Sequence, residues 1–191
     1  AKLLTHICTT IFVVCLIYPV FGHWAWGHLF HFNQHGWLGK LGFIDFAGST
    51  VVHSISGWVA LSGAFVLGPR IGKFNSDGTA NRMHGHNLPL ATIGTFFLWF
   101  GWFGFNGGSL LRADTSIGLV IINTTLSGAV SGVVVAIFGK LRNKGMDAAE
   151  ILLGIMGGLV AIGAGCSRVS SVYACIVGLC AGIIAMLAKD F

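Results

Sequence analysis

Six apolar runs, each near the length that crosses a bilayer, divide this chain: roughly 3–21, 45–68, 88–105, 116–138, 148–164 and 171–188. A hydrocarbon core of ~30 Å takes about 20 residues of α-helix, so each run predicts a membrane-spanning helix. The fifth is the shortest and needs an upright helix or snorkelling flanks. The polar connections alternate in basic content. Arg70, Lys73 and Arg82 follow the second run, and Lys140, Arg142 and Lys144 follow the fourth. Lys40, Arg112 and Arg168 stand one to a connection. Under the positive-inside rule the richer connections are cytoplasmic, and both ends, near Lys2 and Lys189, share that side. Buried helices of a soluble all-α protein have no reason to alternate in this way. The predicted fold is an all-α, polytopic membrane helix bundle in the cell membrane, with the lipid bilayer as its surroundings.

Composition agrees with that pattern. The chain is 54% hydrophobic and 9% charged, with mean hydropathy +0.82, where a soluble domain carries roughly a quarter charged residues. The 29 glycines predict closely packed helices, and Gly128/Gly132, Gly154/Gly158 and Gly178/Gly182 form small-xxx-small pairs. A net charge of +5 sits between the apolar runs rather than on one face, which speaks for topology and against nucleic acid as a partner. The five cysteines lie mostly inside apolar runs without a CxxC pair and read as small buried hydrophobes. No signal peptide follows from the first run, and the chain reads as a piece of a longer protein. There is no regular repeat, soluble domain or low-complexity tract.

Chemistry concentrates in four places. The connection after the first run, GHWAWGHLFHFNQHGWLGK, holds Trp24, Trp26, Phe30, Phe32 and Trp37, as an interfacial aromatic belt does. The spacing of His28, His31 and His35 there permits zinc, but no acid or cysteine joins them; no metal or cofactor is expected. The third run opens at Pro89 and closes in LWFGWFGFNGGS. On a helix Trp102 and Phe105 share a face, and Ser109 continues it if the helix persists through Gly107-Gly108. Aromatic faces beside a hydroxyl suit a cation. Asn123-Thr124-Thr125, inside an apolar run, reads as hydrogen bonding between helices, and Glu150 beside Asp147 suits a helix N-terminus.

The fourth place is Asp45–Arg70, DFAGSTVVHSISGWVALSGAFVLGPR, an apolar stretch that buries His53. If the stretch is one straight helix, His53 lies about 12 Å in, and an ionisable group at that depth defaults to a pathway or a partner. Asp45 can cap the free N–H groups at the head of the helix. Dehydrating K⁺ needs a ring of oxygen ligands, and no TVGYG-like filter is present. A cation that sheds a proton and crosses as a neutral molecule avoids that cost. Ammonium fits, with imidazole as the proton partner near neutral pH. No nucleophile–base pair, phosphate loop or carboxylate pair in a span points to an enzyme.

Asp45–Arg70 resembles the signature of the ammonium transporter (Amt/Mep/Rh) family through Phe46, Ala47, Gly48, Ser49, Val52, Ser56, Gly57, Ala60, Leu61, Phe65, Val66, Gly68 and Arg70. HNLPL (86–90), GWFGFNGGS (101–109) and GGLVAIGAGC (157–166) extend the resemblance over nearly the whole chain. The resemblance implies that residues 1–191 are a partial transporter domain, the fourth to the ninth of about eleven spans. It implies that His53 is the first of two pore histidines, that Trp26 and Ser109 recruit ammonium and that Phe105 is a gate. Trp102 is then the aromatic beside the pore, and Asp45 a structural residue near the vestibule. The span carrying the second histidine is not among these residues, so they alone are not expected to complete a pore. A homotrimer and a PII-type regulator on a cytoplasmic tail outside this sequence are implied as partners. The alternative is an ammonium-sensing membrane domain of a signalling protein.

Overall fold

A computed structural model describes residues 3–27, 36–81, 83, 85–142 and 147–189. His28, His31 and His35, with the zinc reading attached to them, lie outside the described residues, as do Lys2, Arg82 and Lys144. The described elements are helical: α1 Leu3–Trp26, α2 Trp37–Lys40, α3 Ser49–Leu67, α4 Leu88–Gly108, α5 Ser116–Leu141, α6 Ala148–Ile162 and α7 Ser171–Lys189. Of these, α1, α3, α4, α5 and α7 are long and apolar enough to cross a membrane, and α6 is shorter. The chain divides into two compact units, residues 1–44 with 50–86, and residues 45–49 with 87–191.

In the N-terminal unit α1 reaches Trp26 rather than stopping at Phe21. It widens into a π-helical turn over Val13–Ile17, where the Tyr18 N–H donates to the Val13 carbonyl. Pro19 follows directly. Its ring lacks an N–H and would crowd the Cys15 carbonyl in a regular α-turn, and the wider turn absorbs that conflict. In the last turns of α1, the Trp24 ring meets Phe21 at 5.9 Å and Trp37 of α2 at 5.7 Å between centroids. α3 opens as another π-helical turn, Ser49–Ser54, and continues as α-helix from Ile55. It ends at Gly68, whose φ of +70° is a left-handed cap that Pro69 then prevents from resuming as helix. The loop that follows folds on itself: Asn75 Nδ2 donates to Thr79 Oγ1 and to Asn81 Oδ1, and the Thr79 N–H donates to Asp77.

The C-terminal unit is built on α5, which packs against α4, α6 and α7. The small-xxx-small pairs lie at these crossings. A Cβ added at Gly158 of α6 or at Gly178 of α7 would come within 2.4 Å of the Ser127 carbonyl oxygen of α5. Three backbones therefore meet at one residue, which is possible only without side chains on two of them. Hydroxyls fasten the same seam: Ser127 Oγ donates to the Gly158 carbonyl at 2.8 Å, and Ser131 Oγ to the Gly154 carbonyl at 2.5 Å. Val120, Ile162, Cys166 and Ala174 form the apolar core, with Phe46 and Val169 against it.

Asn87 caps α4 by accepting from the Leu90 N–H at 2.9 Å, with Pro89 in the first turn. Asp147 caps α6 through the Ala149 N–H, Glu150 stands in its first turn, and Glu150 pairs with Lys189 at the end of α7. Both charges complement the dipole of their own helix. Polar and apolar positions are distributed as a bilayer requires. Asn106, Asn123, Thr124, Ser127 and Ser131 are fully buried, while Phe96, Phe97, Phe100, Val172 and Ile184 are exposed.

Candidate functional site

One part of the candidate site is the C-terminal end of α4. The helix does persist through Gly107-Gly108 and stops with Ser109 as its cap. Trp102 and Phe105, three residues apart, face one another with ring centroids 5.8 Å apart and planes inclined at 54°. Trp102 is 8% exposed and Phe105 39%, so the tryptophan forms the wall on which the phenylalanine stands. The Ser109 hydroxyl donates back to the Phe105 carbonyl at 2.8 Å, which leaves its oxygen lone pairs as the group it can present to a cation. Between them Asn106, fully buried, donates from Nδ2 to Thr124 Oγ1 at 2.8 Å, and Thr124 donates on to the Val120 carbonyl. In the loop beyond, the Ser116 hydroxyl and N–H hold the Asp114 carboxyl below its ordinary pKa, with Arg112 adding to the effect.

The second part is the signature stretch, and here the expectation of one straight helix from Asp45 fails. Residues 45–48 are a bent, non-helical lead-in. Asp45, 5% exposed, accepts from the Gly48 N–H at 2.9 Å, and Gly48 has φ +109°, a conformation that glycine enters without strain. Asp45 thus caps a turn ahead of the helix. Counted from Ser49, His53 is only ~6 Å along the helix rather than 12. It is half-buried and lies within the π-helical turn, an irregularity found often at functional sites. The lead-in is stitched to the end of α6, where the Ala47 N–H donates to the Gly163 carbonyl at 2.9 Å and the Phe46 N–H to the Ala164 carbonyl at 3.1 Å. Ser49 joins them, donating to the Val160 carbonyl at 2.6 Å and accepting from the Ala164 N–H at 2.7 Å. DFAGS and GGLVAIGAGC, which both belong to the stretches that carry the family resemblance, are therefore one interlocked structure.

Trp26 is the last residue of α1, half-buried, followed by Gly27 as the helix cap. Trp26 and His53 belong to the N-terminal unit, whereas Asp45, Trp102, Phe105 and Ser109 belong to the other. No group of three or more potential metal ligands occurs among the described residues.

Sequence gives Ser49, beyond its place in the signature, and Asn106 no individual role. A hydroxyl in an otherwise Ala-Gly lead-in was the signal for the first. The second was an amide inside an aromatic run. Asn123, expected from sequence to bond between helices, donates to the Cys166 and Val169 carbonyls in the turn between α6 and α7, at 2.9 and 2.8 Å. Thr124 accepts from another helix, but Thr125 bonds only the Ile121 carbonyl of its own helix.

Residues 1–191 match the model of the Ammonium Transporter Family. Ammonium transporter Amt2 of Archaeoglobus fulgidus is 43% identical over 184 residues, covering 91% of this chain and 38% of that protein. Ammonium transporter 1 member 3 of Solanum lycopersicum is 38% identical over 196 residues, covering 92% of this chain and 41% of that protein. Among solved structures, one titled "Sensor Amt Protein" superposes with a TM-score of 0.97 at 54% identity, over 100% of this chain and 47% of the other. Mep2 of Candida albicans superposes with a TM-score of 0.84 at 31% identity, over 96% of this chain and 39% of the other. The chain thus spans less than half the length of each of these relatives. It belongs to the ammonium transporter family, with the all-α, multi-pass membrane architecture of Amt/Mep proteins.

Proposed function

We propose that the protein containing this chain moves ammonium or ammonia across the cell membrane. Ammonium is recruited outside with Trp26 and Ser109, gives up its proton, and passes Phe105 to a narrow apolar path along His53. Trp102 braces the gate, and Asp45 keeps a structural role near the vestibule. The observation that carries the reading is that His53 sits in an irregular turn of an otherwise apolar helix, within a family match extending over residues 1–191. Imidazole titrates near neutrality, so it can take and return a proton without a large driving force. Homotrimeric assembly, a PII-type regulator on a cytoplasmic tail and cytoplasmic placement of both chain ends accompany this reading.

Methylammonium uptake by cells expressing the full-length protein, wild type against His53→Ala, tests it. Uptake is expected to fall by about tenfold or more, with surface expression unchanged, as loss of a positioned proton-transfer group does. Equal uptake by the two would remove His53 from the mechanism.

A second reading, ammonium sensing by a membrane domain of a signalling protein, is favoured by the superposition on the structure titled "Sensor Amt Protein". A wild-type protein that binds ammonium in detergent but shows no uptake would select it.

A further inference from the structure

The end of α6 and the start of α3 share one side chain. In a continuing helix the Ala164 N–H would reach the Val160 carbonyl, four residues back. Here Ser49 Oγ stands in that rung, taking the Ala164 proton at 2.7 Å and giving its own to Val160 at 2.6 Å. A side chain inserted into the helical ladder interrupts it, and α6 accordingly ends at Ile162. Ser49 is also the first residue of the π-helical turn that holds His53. Ser49 and His53 therefore lie four residues apart within one π-helical turn.

The anchor is itself held on both sides. The Phe46 and Ala47 N–H groups bind the Ala164 and Gly163 carbonyls, and Asn123 grips the far side of the turn through Cys166 and Val169. Space around the hydroxyl is tight, since a Cβ on Gly163 would lie 3.1 Å from Ser49 Oγ. Gly163 has a helical φ of −57°, so it is needed for space and not for backbone freedom.

We propose that Ser49 is a positioning residue for His53: its hydroxyl, clamped between Val160 and Ala164, sets the orientation of the turn that carries the imidazole. The proposal rests on the transport role of His53, so its test has a readout independent of transport. The full-length protein in lipid is compared with Ser49→Ala, Ser49→Thr and Gly163→Ala, by hydrogen exchange across residues 46–54 and by methylammonium uptake. Ser49→Ala is expected to speed exchange in 46–54 and to lower maximal uptake about tenfold with little change in KM, because a misplaced group costs rate rather than recruitment. Ser49→Thr keeps the hydroxyl and restores both. Gly163→Ala, which crowds the oxygen without removing it, gives an intermediate loss. Unchanged exchange in Ser49→Ala overturns the proposal. Faster exchange with unchanged uptake also overturns it, since the hydroxyl would then only fasten the loop. If His53→Ala itself leaves uptake intact, the transport reading of His53 is what fails, and the exchange data alone decide whether Ser49 holds the turn.

Discussion

Asn123 illustrates what a buried amide supplies in an apolar bundle. Both its N–H groups are spent on carbonyls of the turn after α6, while its Oδ1, like that of Asn106, finds no donor among the described residues. An acceptor left unmade carries a desolvation cost, so the amide is not there as the cheapest way to fill the space. What it supplies is direction: two carbonyls outside any regular helix are fixed relative to α5. Asn123→Leu keeps the volume and removes both donors. It is expected to destabilise the folded protein by about 1–3 kcal/mol, the usual cost of orphaned buried carbonyls. Thermal unfolding of the detergent-solubilised protein checks this, and an unshifted midpoint would show that the turn holds without the amide.

At the scale of elements, adjacent glycines on α6 have unlike roles. A Cβ at Gly157 would meet nothing nearer than Ala185 Cβ at 3.8 Å, an ordinary contact. A Cβ at Gly158 would lie 2.4 Å from a backbone oxygen of α5, which cannot swing aside as a side chain does. Gly157→Ala is therefore expected to be tolerated. Gly158→Ala must force α5 and α6 apart, at about 1–3 kcal/mol or more, with loss of the Ser127 hydroxyl bond to that residue. Yields of monodisperse protein after detergent extraction, compared between the two variants, measure the difference. Equal yields would mean the seam is looser than the glycine contacts imply.

For the molecule as a whole, the unequal basic connections lead to a topology that can be mapped. The loop after α3 carries Arg70 and Lys73, and the loop after α4 carries Arg112 paired with Asp114. In full-length protein, a single cysteine at Ser76 is expected to react with impermeant thiol reagents only after cells are opened. One at Ala113 is expected to react on intact cells, since excess Lys and Arg keep a loop on the cytoplasmic side. Labelling of both positions on intact cells would refute the orientation. Both sites are exposed in the structure, so access is decided by the membrane and not by burial.

The amino-acid sequence alone determined which stretches are helices, because a run of apolar residues near bilayer length has few other stable forms and glycine pairs mark where such helices touch. It also determined the family, through ordered stretches spread along the chain. It could not determine where the histidine-bearing helix begins. The mostly apolar run from Phe46 onward marks no helix boundary, and the hydrogen bonds of Phe46, Ala47 and Ser49 to the end of α6 accompany the non-helical course of residues 45–48, with the helix starting at Ser49. Those bonds join residues more than a hundred positions apart, which no local periodicity encodes. For the same reason His53 moves from the depth suggested by a straight helix to an irregular first turn, and Ser49, in sequence only one signature position among many, becomes its anchor.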